Sequence, residues 1–305
     1  MVTNRTKEQL WHTTKSGVVA PVGISTTLSV SSTQTYLHIK EKAKAIEKLY
    51  CDNTVPLPPD CALANLVSDA KTLSDAWLMN NREVATWQLI LRVSFLYRIA
   101  DAILPLFDVP ERRKYLTILT SGNLNLQQRE RSLAKDILWE LELWSRLRRR
   151  GINAILHEPD IIVDFEDAQV AIACKKFYSE NNVEKVLSEA VGQIEAAYDF
   201  GIIAVNLDDL TLPDHILKQP TQEAMGKAID QFNRGFLRTH QRHFKKYLKA
   251  GRVISALVST SVLAGLSSHK PSFQIATQAT IWSIPGLPPA KEKQLRRFYL
   301  QLMER

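Results

Sequence analysis

The strongest constraint on the fold of this chain is an alternation of helical and strand patterns between residues 127 and 205. The helix predicted over residues 127–150 ends at Gly151, because glycine tolerates the left-handed backbone that terminates many helices. Short apolar runs at 161–163 and 170–173 follow, then a helix over 183–198 and a strand at 202–205. The brief link at 166–168 predicts that the first two strands form an antiparallel hairpin. This order of elements predicts an α/β fold.

The remaining sequence divides into three parts. Residues 1–34 are rich in Ser and Thr without a sustained period, which predicts an irregular tail. Residues 35–124 predict an all-helical N-terminal region, with Asp60 capping its second helix and Arg82 starting its third. Residues 125–305 are expected to form the α/β domain, ending in a helix over 221–250, strands at 253–263 and 273–284, and a short basic helix.

The positive charge of the chain is concentrated in its C-terminal part. From Leu217 onward there are 15 lysines and arginines against 4 aspartates and glutamates, a net charge of +11, whereas the rest of the chain carries −4. Such a concentration favours a polyanionic partner, and nucleic acid is the commonest one. The alternative is a charge that serves solubility alone.

Cysteine usage and hydropathy indicate where the protein works. The three cysteines form no CxxC pair and are odd in number, which argues against a disulfide framework and favours a reduced, intracellular compartment, cytoplasmic if the source is prokaryotic. No secretory signal is recognisable at the N-terminus. The longest apolar stretch, residues 253–266, is interrupted by Ser and Thr and is shorter than the ~20 residues that cross a bilayer. We therefore expect no membrane span.

Acidic and basic side chains follow the predicted elements in a defined order. The sequence reads W-E-L-E-L-W at 139–144, E-P-D-I-I-V-D at 158–164, A-I-A-C-K-K at 171–176 and V-G-Q-I-E at 191–195. Phosphodiester hydrolysis needs oxygen ligands for Mg²⁺ and a cation near the scissile phosphate. This order resembles the PD-(D/E)XK nuclease superfamily. Its core has a Glu-bearing helix, a hairpin with Pro-Asp on one strand and (Asp/Glu)-x-Lys on the next, and often a Gln-bearing helix.

The resemblance implies a restriction-endonuclease-like mixed sheet flanked by helices and a Mg²⁺-dependent (or Mn²⁺-dependent) hydrolysis of phosphodiester bonds in DNA. Asp160 and Glu140 would hold the metal, with Glu142 in reserve, and Lys175 would be the motif lysine. Glu140 precedes two leucines on an otherwise apolar helix face, so its carboxylate is expected to point inward. The implied catalytic residues are Glu140, Asp160, Lys175 and Gln193.

One position departs from the pattern of these nucleases. Two residues before Lys175 stands Ala173, where the motif places Asp or Glu, and moving the frame by one residue gives Cys174, a poor ligand for Mg²⁺. Two outcomes follow. Either another carboxylate replaces the missing one, or the chain is a catalytically inactive nucleic-acid-binding or regulatory module. The candidate replacements are Glu142, Asp164 and Glu180.

Each candidate residue also has a purely structural interpretation. Asp160 after a proline fits the start of a turn or strand, and Asp164 fits a solvent-facing strand position. Glu142 resembles a solvated salt-bridge partner. Lys175 fits an exposed strand end, and Gln193 fits a cap for neighbouring backbone groups.

A basic stripe is predicted on the helix over 221–250. Its cations recur at steps of three or four residues and would share one face: Arg234, Arg238, Arg242, Lys245, Lys249 and Arg252. Such a row can follow a phosphate backbone, so we expect DNA to bind here. An ordinary solvated face or an anionic membrane surface are the alternatives. A homo-oligomer is compatible with the sequence, which has no feature that decides the oligomeric state.

Overall fold

The computed structural model describes residues 35–303, except 80–82, 85, 213–214 and 268–272, together with three short strands nearer the N-terminus. These strands are β1 (Trp11–Thr13), β2 (Val19–Pro21) and β3 (Ile24–Thr27). They lie in the segment predicted as an irregular tail, and β3 pairs with the main sheet. The other residues of that segment lie outside the part of the chain that the structure describes.

The helices predicted for residues 35–124 are confirmed. They are α1 (Thr35–Asp52), α2 (Ala62–Leu78), α3 (Trp87–Ile103) and α4 (Arg112–Ser121). The cap of α2 is Cys61, whose Sγ accepts from the N–H of Ala64 at 3.4 Å, and not Asp60. The predicted start of α3 at Arg82 lies outside the described residues. Thr86 caps α3 by accepting from the N–H of Leu89 at 3.3 Å.

The predicted order of helix, hairpin, helix and strand is also present. It consists of α5 (Leu133–Arg149), β4 (Ala154–His157), β5 (Asp160–Asp164), β6 (Gln169–Lys176), α6 (Val183–Glu195) and β7 (Phe200–Asn206). Strand β4 was not predicted. Helix α5 starts six residues later than expected, since Asn125 Oδ1 accepts from the N–H of Gln127 at 3.0 Å. This local turn competes with helix formation. Gly151 follows α5 with a φ of 73°.

The C-terminal part supplies two long strands and three helices. Its elements are β8 (Ile216–Gln219), α7 (Gln222–Thr239), α8 (Gln241–Lys249), β9 (Ser255–Leu266), β10 (Phe273–Trp282) and α9 (Pro289–Met303). The single helix predicted over 221–250 is interrupted at His240, whose ψ of 13° is not helical. A tertiary contact holds this residue, because His240 Nε2 lies 2.6 Å from Glu180 Oε2. Strand β8 was not predicted.

The strands form a mixed sheet in the order β3-β10-β9-β7-β6-β5-β4, with β8 also paired to β9. The pairs β6–β7, β7–β9 and β8–β9 are parallel, and the other neighbours are antiparallel. The chain is thus an α/β protein whose mixed sheet is flanked by helices and preceded by a helical region.

Both faces of this sheet are buried. One continuous apolar core joins the helices α1–α5 and α9 to the face that carries Ile161, Ile172 and Ile202. A second core on the opposite face joins α6 and α8 to Ala171, Ala173 and other residues. The predicted boundary at residue 124 therefore does not separate two cores. No helix in the described part of the chain combines the length and apolar character that a membrane span requires.

Candidate functional site

Asp160 and Lys175 meet at one end of the β5–β6 hairpin. Asp160 begins β5 and Lys175 is the penultimate residue of β6, and the antiparallel register pairs Ile161 with Ile172. The ladder ends at this pair, so Asp160 lies just beyond it, at the level of residues 173–175 of β6. Asp160 Oδ2 accepts a hydrogen bond of 2.6 Å from the N–H of Cys174. The hairpin thus holds the Asp160 carboxylate beside the backbone that carries Lys175.

Glu140 approaches the same site from α5. Burial raises the pKa of Glu140 well above its usual range, and repulsion from Asp160 raises it further. The positive charges of Lys175 and Lys114 act in the opposite direction. These mutual effects require Glu140, Asp160 and Lys175 to lie within electrostatic reach of one another. Alternation along β6 places Lys175 on the face of Ala173, whereas α5 covers the opposite face, so Glu140 and Lys175 reach this end of the hairpin from opposite sides of the sheet.

Asp160 also binds its proton more tightly than a free aspartate does. Its pKa is raised to about 6, mainly by burial and also by repulsion from Glu158. The N–H of Cys174 and the charge of Lys175 oppose this rise in pKa. Two half-buried carboxylates thus lie at one end of a hairpin that also carries Lys175, which forms no direct ion pair with the side chains that the structure describes. A divalent cation at this position would lower the free energy of ionising both carboxylates.

Several neighbours of this site were missed in the sequence. Asp136 lies one helical turn before Glu140, its Oδ1 accepts from the Tyr178 hydroxyl at 2.9 Å, and its charge also raises the pKa of Glu140. From α4, Tyr115 lies close enough that burial and then the charge of Glu140 raise its pKa to about 12, so its hydroxyl stays protonated. The four-residue spacing of Asp136 and Glu140 could have indicated that they share a helix face. No comparable signal marks the two tyrosines.

Ala173 occupies the position where the nuclease motif has a carboxylate. The three carboxylates that were predicted to replace it make other contacts. The Ala173 side chain is fully buried in the second core, among residues that include Val183 and Leu187 of α6. Asp164 lies at the other end of β5, where its Oδ1 accepts from the N–H of Glu166 at 3.2 Å. Glu180 binds His240. These two carboxylates are therefore held elsewhere.

Glu142, the third predicted supplier, belongs to a buried ionic network. Its side chain is 2% exposed, and its Oε2 accepts from Arg98 Nη2 at 2.7 Å. The same guanidinium also binds Asp208 after β7. Burial lowers the pKa of Arg98, but the two carboxylates outweigh it, so the pKa lies above its ordinary value. The interpretation of Glu142 as a solvated salt-bridge partner is wrong.

Gln193 does not join the other predicted residues. It is exposed on the C-terminal half of α6. The adjacent Ile194 packs on Gly201, which pairs with Ala171 of β6. Lys175 lies four residues further along this strand, about 13 Å away at the usual rise of a strand. Gln193 is thus exposed and lies about four strand positions from the level of Lys175.

The six predicted DNA-binding cations do not form one continuous stripe, because the helix is interrupted at His240. Arg234 pairs with Asp230 at 2.6 Å, and Arg252 pairs with Glu195. Lys245 is half-buried. The remaining three are exposed and have no acidic partner among the described side chains: Arg238, Arg242 and Lys249.

The carboxylates of this site can be compared with the ligands that Mg²⁺ requires. Among the described residues, no group of three or more His, Cys, Asp and Glu side chains is arranged to hold a metal ion. Mg²⁺ in phosphoryl-transfer sites, however, is commonly held by one or two carboxylates, with waters and substrate phosphate completing the octahedron. Glu140 and Asp160 fit that mode of binding, since both are oxygen donors and both are disfavoured as anions without a cation.

Comparisons of the chain with protein-family profiles, with curated protein sequences and with solved structures find no match.

Proposed function

We propose that this protein is a Mg²⁺-dependent nuclease-like enzyme that hydrolyses phosphodiester bonds in DNA, with Glu140, Asp160 and Lys175 as its reaction centre. The observation that supports the proposal is that two half-buried carboxylates repel each other at one end of a hairpin that also carries a lysine without a direct ion pair. The order of helix, hairpin, helix and strand around them is the one that the resemblance to PD-(D/E)XK nucleases implies.

Each residue has a definite role in this proposal. Glu140 and Asp160 would hold Mg²⁺, which when bound lowers the pKa of a coordinated water and polarises the phosphoryl group. Lys175, beside them, positions the attacking water or stabilises the charge that develops on the phosphate. Asp160 is itself positioned by the N–H of Cys174. Tyr115 and Tyr178 stay protonated near the carboxylates and can donate hydrogen bonds.

The test is metal-dependent cleavage of supercoiled and linear DNA by the full chain. We expect Asp160→Asn and Lys175→Ala each to lower the rate at least about 100-fold, as removal of one electrostatic stabiliser does in other enzymes. Asp164→Asn at the opposite end of β5 and Lys185→Ala on α6 are the matched controls, and both should cleave like the wild type. Cleavage by the Asp160 and Lys175 variants at the wild-type rate would refute the assignment.

DNA binding is proposed to use Arg238, Arg242 and Lys249, because these three cations are exposed and have no described acidic partner. Replacing all three by Gln should reduce the slope of log affinity against log salt by about 2.7 if each contacts one phosphate. Replacing Arg234 and Arg252, whose charges are already paired, should change the slope much less. An unchanged slope in the triple variant would exclude this binding face.

A second candidate is a catalytically inactive module that binds nucleic acid with the same fold. Ala173 favours it, because a buried methyl group stands where the nuclease motif has a carboxylate. This candidate predicts salt-dependent DNA binding together with the absence of Mg²⁺- or Mn²⁺-dependent turnover. Cleavage that is lost in Asp160→Asn but kept in Asp164→Asn would exclude it.

A further inference from the structure

A cavity of about 350 Å³ lies where β7 and β8 leave a gap beside β9. Strand β7 pairs with β9 as far as Ser259, and β8 pairs with it only from Leu263 onward. Residues 260–262 of β9 pair with no described strand on that side, and they line the cavity. The cavity shares no lining residue with the site around Asp160, so it is a separate candidate for binding.

Most of the side chains that line the cavity are apolar. They come from several elements and loops, and they include Phe95, Leu126, Leu212, Leu217, Phe232 and Ile275. Two of them are also exposed to solvent, Leu212 at 71% and Phe232 at 39%, and so lie at its mouth. Ligand sites typically combine such walls with a few polar groups in a volume of roughly 300–1,000 Å³. These walls favour a ligand whose body is apolar.

The ionisable side chains that line the cavity differ in their exposure. Four of them are only 3% to 11% exposed and form ion pairs with one another, Arg98 with Asp208 and Lys176 with Asp209. The side chain of Arg129 is 28% exposed, and His215 is an exposed residue. The ionisable lining residues with appreciable exposed surface are thus both basic.

Arg129 has no carboxylate within hydrogen-bonding distance in the described part of the chain. Its Nη1 donates to the Asp208 carbonyl at 2.8 Å, and its Nη2 donates to the Thr211 hydroxyl at 3.2 Å. The carboxylate oxygen nearest to it, Asp209 Oδ1, lies 3.9 Å from Nη1. Each terminal nitrogen of a guanidinium carries two N–H groups, so these contacts leave one N–H on each. The arginine can therefore donate to a bound anion.

The ion pairs beneath the cavity leave one positive charge in excess. Contacts of up to 3.9 Å join four cations to three carboxylates: Arg98, Arg129, Lys135 and Lys176 to Glu142, Asp208 and Asp209. Burial lowers the pKa of Lys135, and repulsion from Lys176 and Arg129 lowers it further, against the attraction of Asp209. An anion beside Arg129 would balance this excess of positive charge.

We propose that this cavity binds an amphipathic anion, a molecule that carries one carboxylate on a compact apolar body. The carboxylate would accept hydrogen bonds from Arg129, and the body would contact the apolar walls. Hydrogen bonds between a guanidinium and a carboxylate are among the strongest in proteins. A cationic ligand would meet like charge here, which disfavours binding. Alkyl and aromatic monocarboxylates share this chemistry.

The experiment measures binding of small probes to the full chain by protein-observed NMR titration at pH 7. Octanoate represents the alkyl acids and 2-naphthoate the aromatic acids. The controls are 1-octanol, which has no charge, octylamine, which has the opposite charge, and acetate, which has no apolar body. We expect at least one of the two acids to bind saturably and at least about tenfold more tightly than each control. The acid that binds more tightly identifies the kind of apolar body.

Two variants locate the head group and the body of the ligand. Arg129→Gln should lower the affinity for the acid at least about tenfold and leave the affinity for 1-octanol unchanged, because only the acid pairs with the guanidinium. The exposed Arg131, outside the lining, gives the matched control Arg131→Gln. Ala228 lines the cavity, so Ala228→Leu should also lower the affinity for the acid at least about tenfold, whereas Ala224→Leu, one turn earlier on α7, should not.

Four results would each overturn the proposal. They are equal affinity for octanoate and 1-octanol, tighter binding of octylamine than of either acid, no saturable binding of the acids, and wild-type affinity for the acid in Ala228→Leu. The first and second results do not depend on the folding of any variant. A ligand would bind here whether or not the carboxylate site takes a metal.

Discussion

Replacing Asp160 by Asn should stabilise the metal-free protein at neutral and alkaline pH. The pKa of Asp160 is about 6 in the folded chain against an ordinary value of 3.8, so its ionisation at pH 8 opposes folding by about 3 kcal/mol. Asn carries no charge and keeps an oxygen that accepts from the N–H of Cys174. We therefore expect the free energy of unfolding to rise by about 1–3 kcal/mol at pH 8.

The sign of this effect fixes its pH dependence. A carboxyl whose pKa is raised on folding favours the folded state fully below pH 3.8, and this contribution is lost as the pH rises through about 6. The difference between Asp160→Asn and the wild type should thus be close to zero at pH 4 and reach its full value above pH 7. Urea denaturation in the presence of a chelator, at a series of pH values, measures it.

Added Mg²⁺ should reverse the order of stability. A metal that binds only the folded chain stabilises it by about 2.7 kcal/mol at one hundred times its dissociation constant, and the Asn variant lacks one of the two carboxylates that hold it. Asp164→Asn is the matched control and should change stability by less than about 0.5 kcal/mol at every pH. A destabilised Asp160→Asn at pH 8 without metal, or a pH-independent gain, would refute the reasoning from half-buried, repelling carboxylates.

Three further predictions concern packing, the ionic network and metal affinity. Gly201→Ala should lower the free energy of unfolding by about 1–3 kcal/mol, because the added Cβ would lie 2.3 Å from a methyl group of Ile194. Gly192→Ala should raise it by about 0.5–1 kcal/mol, because the added Cβ has no atom within 4 Å and alanine favours the helix. Arg98→Ala should lower it by about 3–5 kcal/mol by leaving two buried carboxylates unpaired, and the exposed Arg92→Ala by less than about 1 kcal/mol. Denaturation midpoints test both pairs, and equal effects within a pair would contradict the structure. The affinity for Mg²⁺, measured by calorimetry, should fall as the pH decreases through about 6, because Asp160 takes up a proton there. A constant affinity between pH 8 and pH 5 would exclude a metal site that needs this carboxylate.

Much of the fold was predictable because its signals are local. The apolar runs of β5 and β6 and the short link between them predict the hairpin, and the hairpin alone brings Asp160 to Lys175. Residue spacing on α5 likewise indicates that Glu140 faces inward. These features depend on periodicity and on the geometry of antiparallel pairing, which act over a few residues.

The features that were missed depend on contacts between distant residues. Glu142 is buried because Arg98, 44 residues earlier, neutralises it, and neither residue carries a local sign of that pairing. The short strands β4 and β8 owe their pairing to longer neighbours. Arg129 and Asp209 lie 3.9 Å apart although 80 positions of the sequence separate them. Local patterns cannot indicate such pairs, since tertiary packing decides them.

The most direct test of the central claim is to locate the metal itself. Crystals soaked in Mn²⁺ as a substitute for Mg²⁺ should show an anomalous peak between Glu140 and Asp160, about 2.0–2.3 Å from a carboxylate oxygen of each, and Asp160→Asn crystals should lack it. A Mn²⁺ peak elsewhere, in a preparation whose DNA cleavage depends on that metal, would contradict the account.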